Sequence, residues 1–221
     1  MRVCAVVSLT EGNGETAGSG TWSFSPSVAV AEGCVAATLL AWKKKLLMIA
    51  VTELRRYRLY ESADAGATWT ETTGPHAHLL GDFLNGVEPG EGDDFITATI
   101  GEAEVVLFAR RWHSYGNATG AIGSVLQLWM ADGSRLHPVG QISTEPPQSH
   151  DFSALLYTED NGLFAMYERR DNTSRSLLLA PLTEQLQRVK AVLNAWKETD
   201  TKSRGTVRRH HGGGRGEGCC C

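Results

Sequence analysis

The chain has 221 residues, 42% hydrophobic and 21% charged, with a formal net charge of −4. That is the profile of a globular protein rather than a fibrous, disordered or membrane one. Residues 201–221 carry Lys202, Arg204, Arg208, Arg209 and Arg215 against Glu217, a local charge of +4, which leaves −8 on residues 1–200. An acidic body argues against nucleic acid as a partner, because phosphate binding needs a basic face and not just a basic end.

In chain order, Met1 to Leu9 holds a short apolar stretch without the charged segment and cleavage site of a signal peptide. No run approaches the ~18 apolar residues of a membrane helix. Residues 11–20 are Gly, Ser and acidic residues without periodicity, so 1–21 reads as an N-terminal segment with a flexible loop. Cys4 and Cys34 stand apart and Cys219, Cys220 and Cys221 are stacked at the end, a pattern with neither a disulfide framework nor a zinc spacing.

Short apolar runs then recur between turn signals: Leu46 to Val51, Arg58 to Glu61, Phe95 to Ile100, Glu104 to Ala109, Val125 to Met130, Ser153 to Thr158, Leu163 to Tyr167 and Ser176 to Ala180. These are strands. Lys43-Lys44-Lys45, Gly101-Glu102 and Asn161-Gly162 read as hairpin turns. Closely spaced hairpins with no helix between them favour a sandwich, barrel or propeller.

From Leu182 the apolar residues fall at Leu182, Leu186, Val189, Leu193 and Trp196, one face of an amphipathic helix over residues 181–200 started by Pro181 or Thr183. Residues 201–221 are Arg, His, Gly and Cys without periodicity, expected to be a disordered tail from coding text that goes out of register near residue 201.

One motif is specific. Ser62-Ala63-Asp64-Ala65-Gly66-Ala67-Thr68-Trp69 has the form Ser-x-Asp-x-Gly-x-Thr-Trp and follows directly on a strand. Asp64 and Ser62 can hold backbone N–H groups of their own turn, Gly66 permits positive φ, and Trp69 can pack beneath the loop. The motif resembles the Asp box of sialidase-type propellers. With the flanking Tyr57-Arg58-Leu59-Tyr60-Glu61, Leu126-Gln127-Leu128-Trp129, Val139-Gly140-Gln141-Ile142-Ser143 and Leu156-Tyr157-Thr158-Glu159-Asp160, the chain from Trp22 to Asp200 resembles the trypanosomal trans-sialidase family.

The resemblance implies an all-β fold. Residues 22–180 would be a partial six-bladed β-propeller, followed by the connecting α-helix 181–200 and the disordered tail 201–221. At roughly 45 residues per blade the first of these supplies about three to four blades. Active members of that family cleave or transfer terminal sialic acid with a Tyr nucleophile, a Glu that deprotonates it, an Asp acid/base and three Arg that clamp the substrate carboxylate.

By that resemblance the Glu position is Ala36, one clamp Arg is Val51, another is Gly123 with the acceptor-stacking Trp at Ala121, and the nucleophile position is Phe152. The implied outcome is a trans-sialidase-like protein without turnover, a non-enzymatic adhesin or antigen for host sialoglycans or glycoproteins at the cell surface or secreted. Turnover as in active members is the alternative, and a truncated product without function is a second.

Arg55, Arg56 and Arg58 form a basic cluster, and Arg110-Arg111-Trp112-His113 another. Either can bind an anionic glycan with Trp112 as a stacking surface, although such groups are more often solvated edges. His76 and His78 lack a third ligand at a recognisable spacing, so no metal is expected, and no cofactor. Asn117 and Asn172 head N-glycosylation sequons.

Overall fold

The computed structural model describes residues 4, 7–11, 20–24, 33–72, 80, 81, 83, 84, 94–115, 122–142, 153–170 and 174–210. The motifs at His76, His78, Asn117 and Asn172, the positions Ala121 and Phe152, and residues 211–221 lie outside this set.

Among the described residues the chain makes a series of antiparallel meanders. The first is β3 (Cys34–Trp42), β4 (Lys45–Thr52), β5 (Tyr57–Ser62) and β6 (Thr70–Glu71), the second β7 (Asp94–Ile100), β8 (Ala103–Tyr115), β9 (Ile122–Ala131) and β10 (Leu136–Gln141). The third has three strands, β11 (Ser153–Tyr157), β12 (Leu163–Arg170) and β13 (Arg175–Pro181), and a separate hairpin pairs β1 (Val7–Glu11) with β2 (Gly20–Phe24). In each meander the strands lie side by side in chain order, and one long helix, Thr183–His210, follows. This is the all-β, partial-propeller architecture followed by a helix that the resemblance implies.

Local chemistry sets the turns. Lys43 and Lys44 both have left-handed backbone (φ 47° and 64°), the two-residue geometry whose twist matches paired strands. Lys45 is therefore not part of the turn but opens β4 opposite Trp42. Gly101-Glu102 joins β7 to β8 in the same compact way, with Ile100 opposite Ala103.

The second meander is apolar on both faces, because β8 reads Val105-Val106-Leu107-Phe108-Ala109 and successive side chains point to opposite sides. Val106, Phe108, Trp129 and Phe95 pack onto Leu40, Trp42, Leu47, Ile49, Tyr57 and Leu59 of the first meander. Val105, Leu107, Leu128 and Met130 pack onto Leu155, Leu163, Ala165 and Tyr167 of the third, and onto Leu182, Leu186 and Val189 at the helix. The first strands of the meanders are neighbours, β3 touching β7 and β7 touching β11. The Asp94 carboxylate on β7 accepts the Leu155 N–H on β11. Sheets joined through apolar faces, with their first strands adjacent, are the repeat of a propeller wall.

Three readings from sequence need correction, and one strand, β3, is added to those expected. The expected loop at residues 11–20 yields its two ends to a hairpin, Glu11 pairing with Gly20, and with Val7 opposite Phe24, Ser8 opposite Ser23, Leu9 opposite Trp22 and Thr10 opposite Thr21 this hairpin straddles the expected boundary at residue 21. The Gly-rich connection hides its alternation. β3 is a strand although Cys-Val-Ala-Ala-Thr-Leu-Leu-Ala-Trp lacks a clean period of two, because pairing with β4 overrides weak local preference. Cys4 and Cys34 form a disulfide, with Cα atoms 5.5 Å apart, where spacing alone shows no framework.

The helix, finally, runs ten residues beyond the expected end at residue 200, through residues 201–210. That stretch contains no proline, and the charge of Lys202, Arg204, Arg208 and Arg209 suits a helix C-terminus, which offsets the weak helix formers Gly205, Thr206 and Val207 among them. At its start, Pro181 pairs with Phe164 in β13, and the Leu182 carbonyl accepts the Leu186 N–H, so Leu182 opens the helix. The helix is held close at Gly140 (φ 156°), where an added Cβ would lie 2.6 Å from an Arg188 guanidinium nitrogen. The Gln185 side chain donates to the Gln141 carbonyl at 2.7 Å. Among the described residues no helix is long and apolar enough to cross a membrane.

Candidate functional site

The meanders have two distinguishable ends. At one end the turns meet: the Lys43 N–H lies 3.0 Å from both Glu104 carboxylate oxygens, and Lys43 Nζ donates to the Asp132 carbonyl at 2.9 Å. β5 runs toward this end, since Ser62 pairs with Leu46, so the Asp-box turn between β5 and β6 is also there. The opposite end holds the starts of β3, β5, β7 and β9 and the finish of β4 and β8.

The Asp box is a closed hydrogen-bond circuit. Ser62 Oγ, buried at the end of β5, donates to Asp64 Oδ1 at 2.7 Å and accepts the Gly66 N–H at 2.8 Å. Asp64 Oδ1 accepts the Thr68 N–H at 2.8 Å, and Oδ2 accepts the Thr68 hydroxyl at 2.6 Å. Ala65 and Gly66 take positive φ (55° and 92°), which directs the Gly66 carbonyl to the Trp69 indole N–H at 3.1 Å. The Trp69 ring then packs against Cys34, Met48, Ala50 and Tyr60. Every polar group here is spent on the turn itself, so the box is a clamp on the sheet end with no group left for chemistry.

The hydrogen bonds from the Thr68 hydroxyl, the Thr68 N–H and Ser62 hold the Asp64 carboxyl down at about 2, from an ordinary 3.8. A carboxyl depressed in the folded chain stabilises it fully above the ordinary value, and that contribution is lost as pH falls through the depressed one. The Thr68 amide and Trp69 indole NMR signals are therefore expected to hold constant above about pH 4 and to titrate with a midpoint near 2. They should shift without titrating in Asp64→Asn. A midpoint at the ordinary carboxylate value would show that the circuit does not form.

At the opposite end, Ala36 and Val51 are direct cross-strand partners on β3 and β4. Gly123 on β9 stands opposite Ser114 near the finish of β8. Trp112 is opposite Val125, and only its backbone position is described. Arg55 and Arg56 are exposed in the β4–β5 turn beside Val51. That turn is fixed by Thr52, whose N–H donates to the Arg56 carbonyl at 2.9 Å and whose own carbonyl accepts the Arg55 N–H at 2.8 Å. Arg58, on β5, is half exposed and lies 3.8 Å from Glu71, toward the β6 edge. The structure thus brings Ala36, Val51, Arg55 and Arg56 to one rim and directs Arg58 away from it.

Arg110 departs from both readings of its cluster, glycan ligand or solvated edge. It is 1% exposed. Its guanidinium carbon lies 5.7 Å from the Tyr57 ring centroid and 5.8 Å from that of Phe83, and Nη2 donates to the Leu84 carbonyl at 3.1 Å. Its place in the inward alternation of β8, two residues after Phe108, is the signal that marks it as interior. Asp94 and Asp132 also escape notice in the sequence. Burial pushes the Asp94 carboxyl up against the N–H groups of Leu155 and Phe95. Asp132 caps its own Asp-Gly turn, taking the Ser134 and Arg135 N–H groups at 2.9 and 2.8 Å, a turn its Asp132-Gly133 pair could have announced.

Antiparallel meanders packed face to face, first strands adjacent, with an Asp box closing one sheet at the turn end, define a sialidase-type β-propeller wall. Comparison with known proteins agrees: residues 14–168 match the family of BNR repeat-like domains. The chain belongs to that family, as a sialidase-type member.

It is 30% identical over 177 residues to a sialidase of Trypanosoma cruzi and 33% identical over 184 residues to sialidase 85-1.1 of the same organism. Those alignments take in 80% and 81% of this chain but 15% and 24% of the relatives. Trypanosoma rangeli sialidase superposes with a TM-score of 0.62 at 29% identity, over 89% of this chain and 30% of its own. The same enzyme in complex with sialic acid gives 0.63 at 29% identity, over 85% of this chain and 29% of its own. The chain spans less than a third of each of these proteins.

Proposed function

We propose that the chain is a catalytically silent, sialidase-type propeller module that acts by binding, with its rim of Arg55 and Arg56 engaging the carboxylate of host sialoglycans or sialoglycoproteins at a cell surface or in secretions. The observation that carries the reading is the facing pair Ala36 and Val51. By resemblance these positions ask for a base and a carboxylate-binding guanidinium, and a methyl group facing an isopropyl group can neither take a proton from a nucleophile nor donate to an anion. Gly123, likewise without a side chain at a clamp position, supports the same reading, as does Phe152, which has no hydroxyl at the nucleophile position. Arg55 and Arg56 retain the charge for charge-assisted hydrogen bonds on a turn already ordered by Thr52.

The test is twofold. Release of a fluorescent leaving group from an α-sialoside should not exceed that of an unrelated protein. Sialyllactose should bind weakly and saturably, and the binding should fall in Arg55→Ala/Arg56→Ala. Turnover above background would overturn the silent reading. Absence of both turnover and binding would favour a product without function.

A further inference from the structure

We propose that the long helix is built in two parts, a stem fixed by apolar burial and an arm, residues 193–203, held onto the second meander by an ionic latch centred on Arg135, so that the arm opens while the stem stays docked. This device lies at the turn end of the meanders and does not depend on the glycan-binding reading. The stem is anchored by Leu182, Leu186 and Val189, which are buried in the cluster beneath them. Beyond Val189 full burial ends. Val192, Leu193 and Trp196 are only partly buried against the same cluster, and residues 197–203 are exposed.

Local preference does not hold the arm. The stem reads Glu184-Gln185-Leu186-Gln187-Arg188-Val189-Lys190-Ala191, nearly all strong helix formers, whereas Thr199, Asp200, Thr201 and Ser203 are weak ones. The hydroxyls of Thr199, Thr201 and Ser203 donate to the carbonyls of Ala195, Lys197 and Asp200 at 2.9, 2.8 and 3.0 Å, side-chain bonds that compete with the helix's own ladder.

What holds the arm is a set of contacts to two turns. Arg135 stands in the β9–β10 turn, where its N–H and that of Ser134 bind Asp132 Oδ1 and its Nε donates to Asp132 Oδ2 at 2.9 Å. The guanidinium is thereby aimed from its own turn, and Nη1 and Nη2 reach the two Asp200 carboxylate oxygens at 3.0 Å each, the bidentate geometry of a strong pair. The same guanidinium lies over the Trp196 ring, 4.6 Å from its centroid, and His137 on β10 meets that ring edge-on at 6.4 Å. From the β7–β8 turn the Glu102 carboxylate accepts Lys197 Nζ at 2.8 Å. Both ion pairs border a groove of about 530 Å³ between the helix and these turns, so charge rather than close apolar packing bridges the gap. An isolated exposed pair contributes little, but a bidentate fork, a stacked ring and a second pair between Trp196 and Asp200 make a network. Salt screens such a network and leaves buried leucines untouched. The latch thus decides whether the helix beyond Leu193 lies on the second meander or leaves it.

Hydrogen exchange of the 221-residue chain, read amide by amide, should show residues 196–203 losing protection about tenfold between low salt and about 0.5 M sodium chloride, while residues 186–192 keep theirs. Arg135→Gln lies outside the helix and leaves its intrinsic preference unchanged. It should produce the same loss at low salt and remove most of the response to salt. Asp200→Asn should match it, and combining the two should add little further. Arg135→Lys should restore only part of the protection, because an ammonium cannot hold both Asp200 oxygens. Glu184→Gln, which breaks the pair with Arg188 on the stem, should leave the arm as it is. Arm protection that is indifferent to salt, arm protection that is unchanged in Arg135→Gln, or loss of stem and arm together would overturn the proposal.

Discussion

Phe108→Ala is expected to destabilise the chain by about 3–5 kcal/mol, enough to consume much of the ~5–15 kcal/mol that holds a domain together. Phe108 is fully buried where the first two meanders meet. Its ring stacks on Phe95 with centroids 5.3 Å apart, lies edge-on to Phe83 at 6.0 Å and stacks at longer range on Trp129 at 6.4 Å. Removing it forfeits the transfer of a large ring and leaves a void walled by Phe95 and Trp129 of the second meander and Phe83 of the helical turn, in a cluster that the first meander completes. Neither sheet can close that void without moving as a body. Urea unfolding should therefore show a lower midpoint for Phe108→Ala and a smaller loss for Phe108→Leu. A change under about 1 kcal/mol would mean that the two meanders are not packed through this cluster.

Arg110→Ala is expected to cost about 3 kcal/mol although it removes a charge from the interior. The guanidinium answers the Leu84 carbonyl and lies within reach of the faces of Tyr57 and Phe83, tying the first meander and the helical turn at Leu80, Gly81, Phe83 and Leu84 to β8. The substitution leaves a buried acceptor without its donor, at about 1–3 kcal/mol, and removes two desolvated cation–π contacts together with the packing of the stem. Arg110→Lys should recover only part of the loss, because a point ammonium on a flexible stem cannot present a planar fork to the carbonyl and to both rings. Equal stability of all three proteins would place Arg110 at a solvated surface instead.

These two residues mark how far local reading reaches. The hairpins at Gly101-Glu102 and around Asn161-Gly162 and the Asp box are legible because their energetics are local. Ser62, Asp64, Gly66, Thr68 and Trp69 bond and pack within a span of eight residues, so spacing alone carries the geometry. The helix face of Leu182, Leu186 and Val189 is legible for the same reason. β3 and the β1–β2 hairpin are not, since their pairing depends on partners whose alternation is broken by alanines in one case and distant across a Gly-rich connection in the other. The rim positions are an intermediate case. Resemblance names Ala36 and Val51 one by one, and only the β3–β4 register makes them a facing pair.

By itself the sequence determined the strand-rich class, the box, the amphipathic helix and the residue types at the rim, because periodicity, turn chemistry and side-chain identity are properties of short stretches of chain. Only the tertiary structure decided that Arg110 is interior, that Cys4 meets Cys34, and that the helix continues to His210. It also decided that Leu156, Leu177 and Leu179 of the third meander stand on the face opposite its core side. Burial, disulfide pairing and exposure depend on which elements meet in space, and that is settled by packing between sheets far apart in the chain, whose large apolar gain overrides what any single segment prefers.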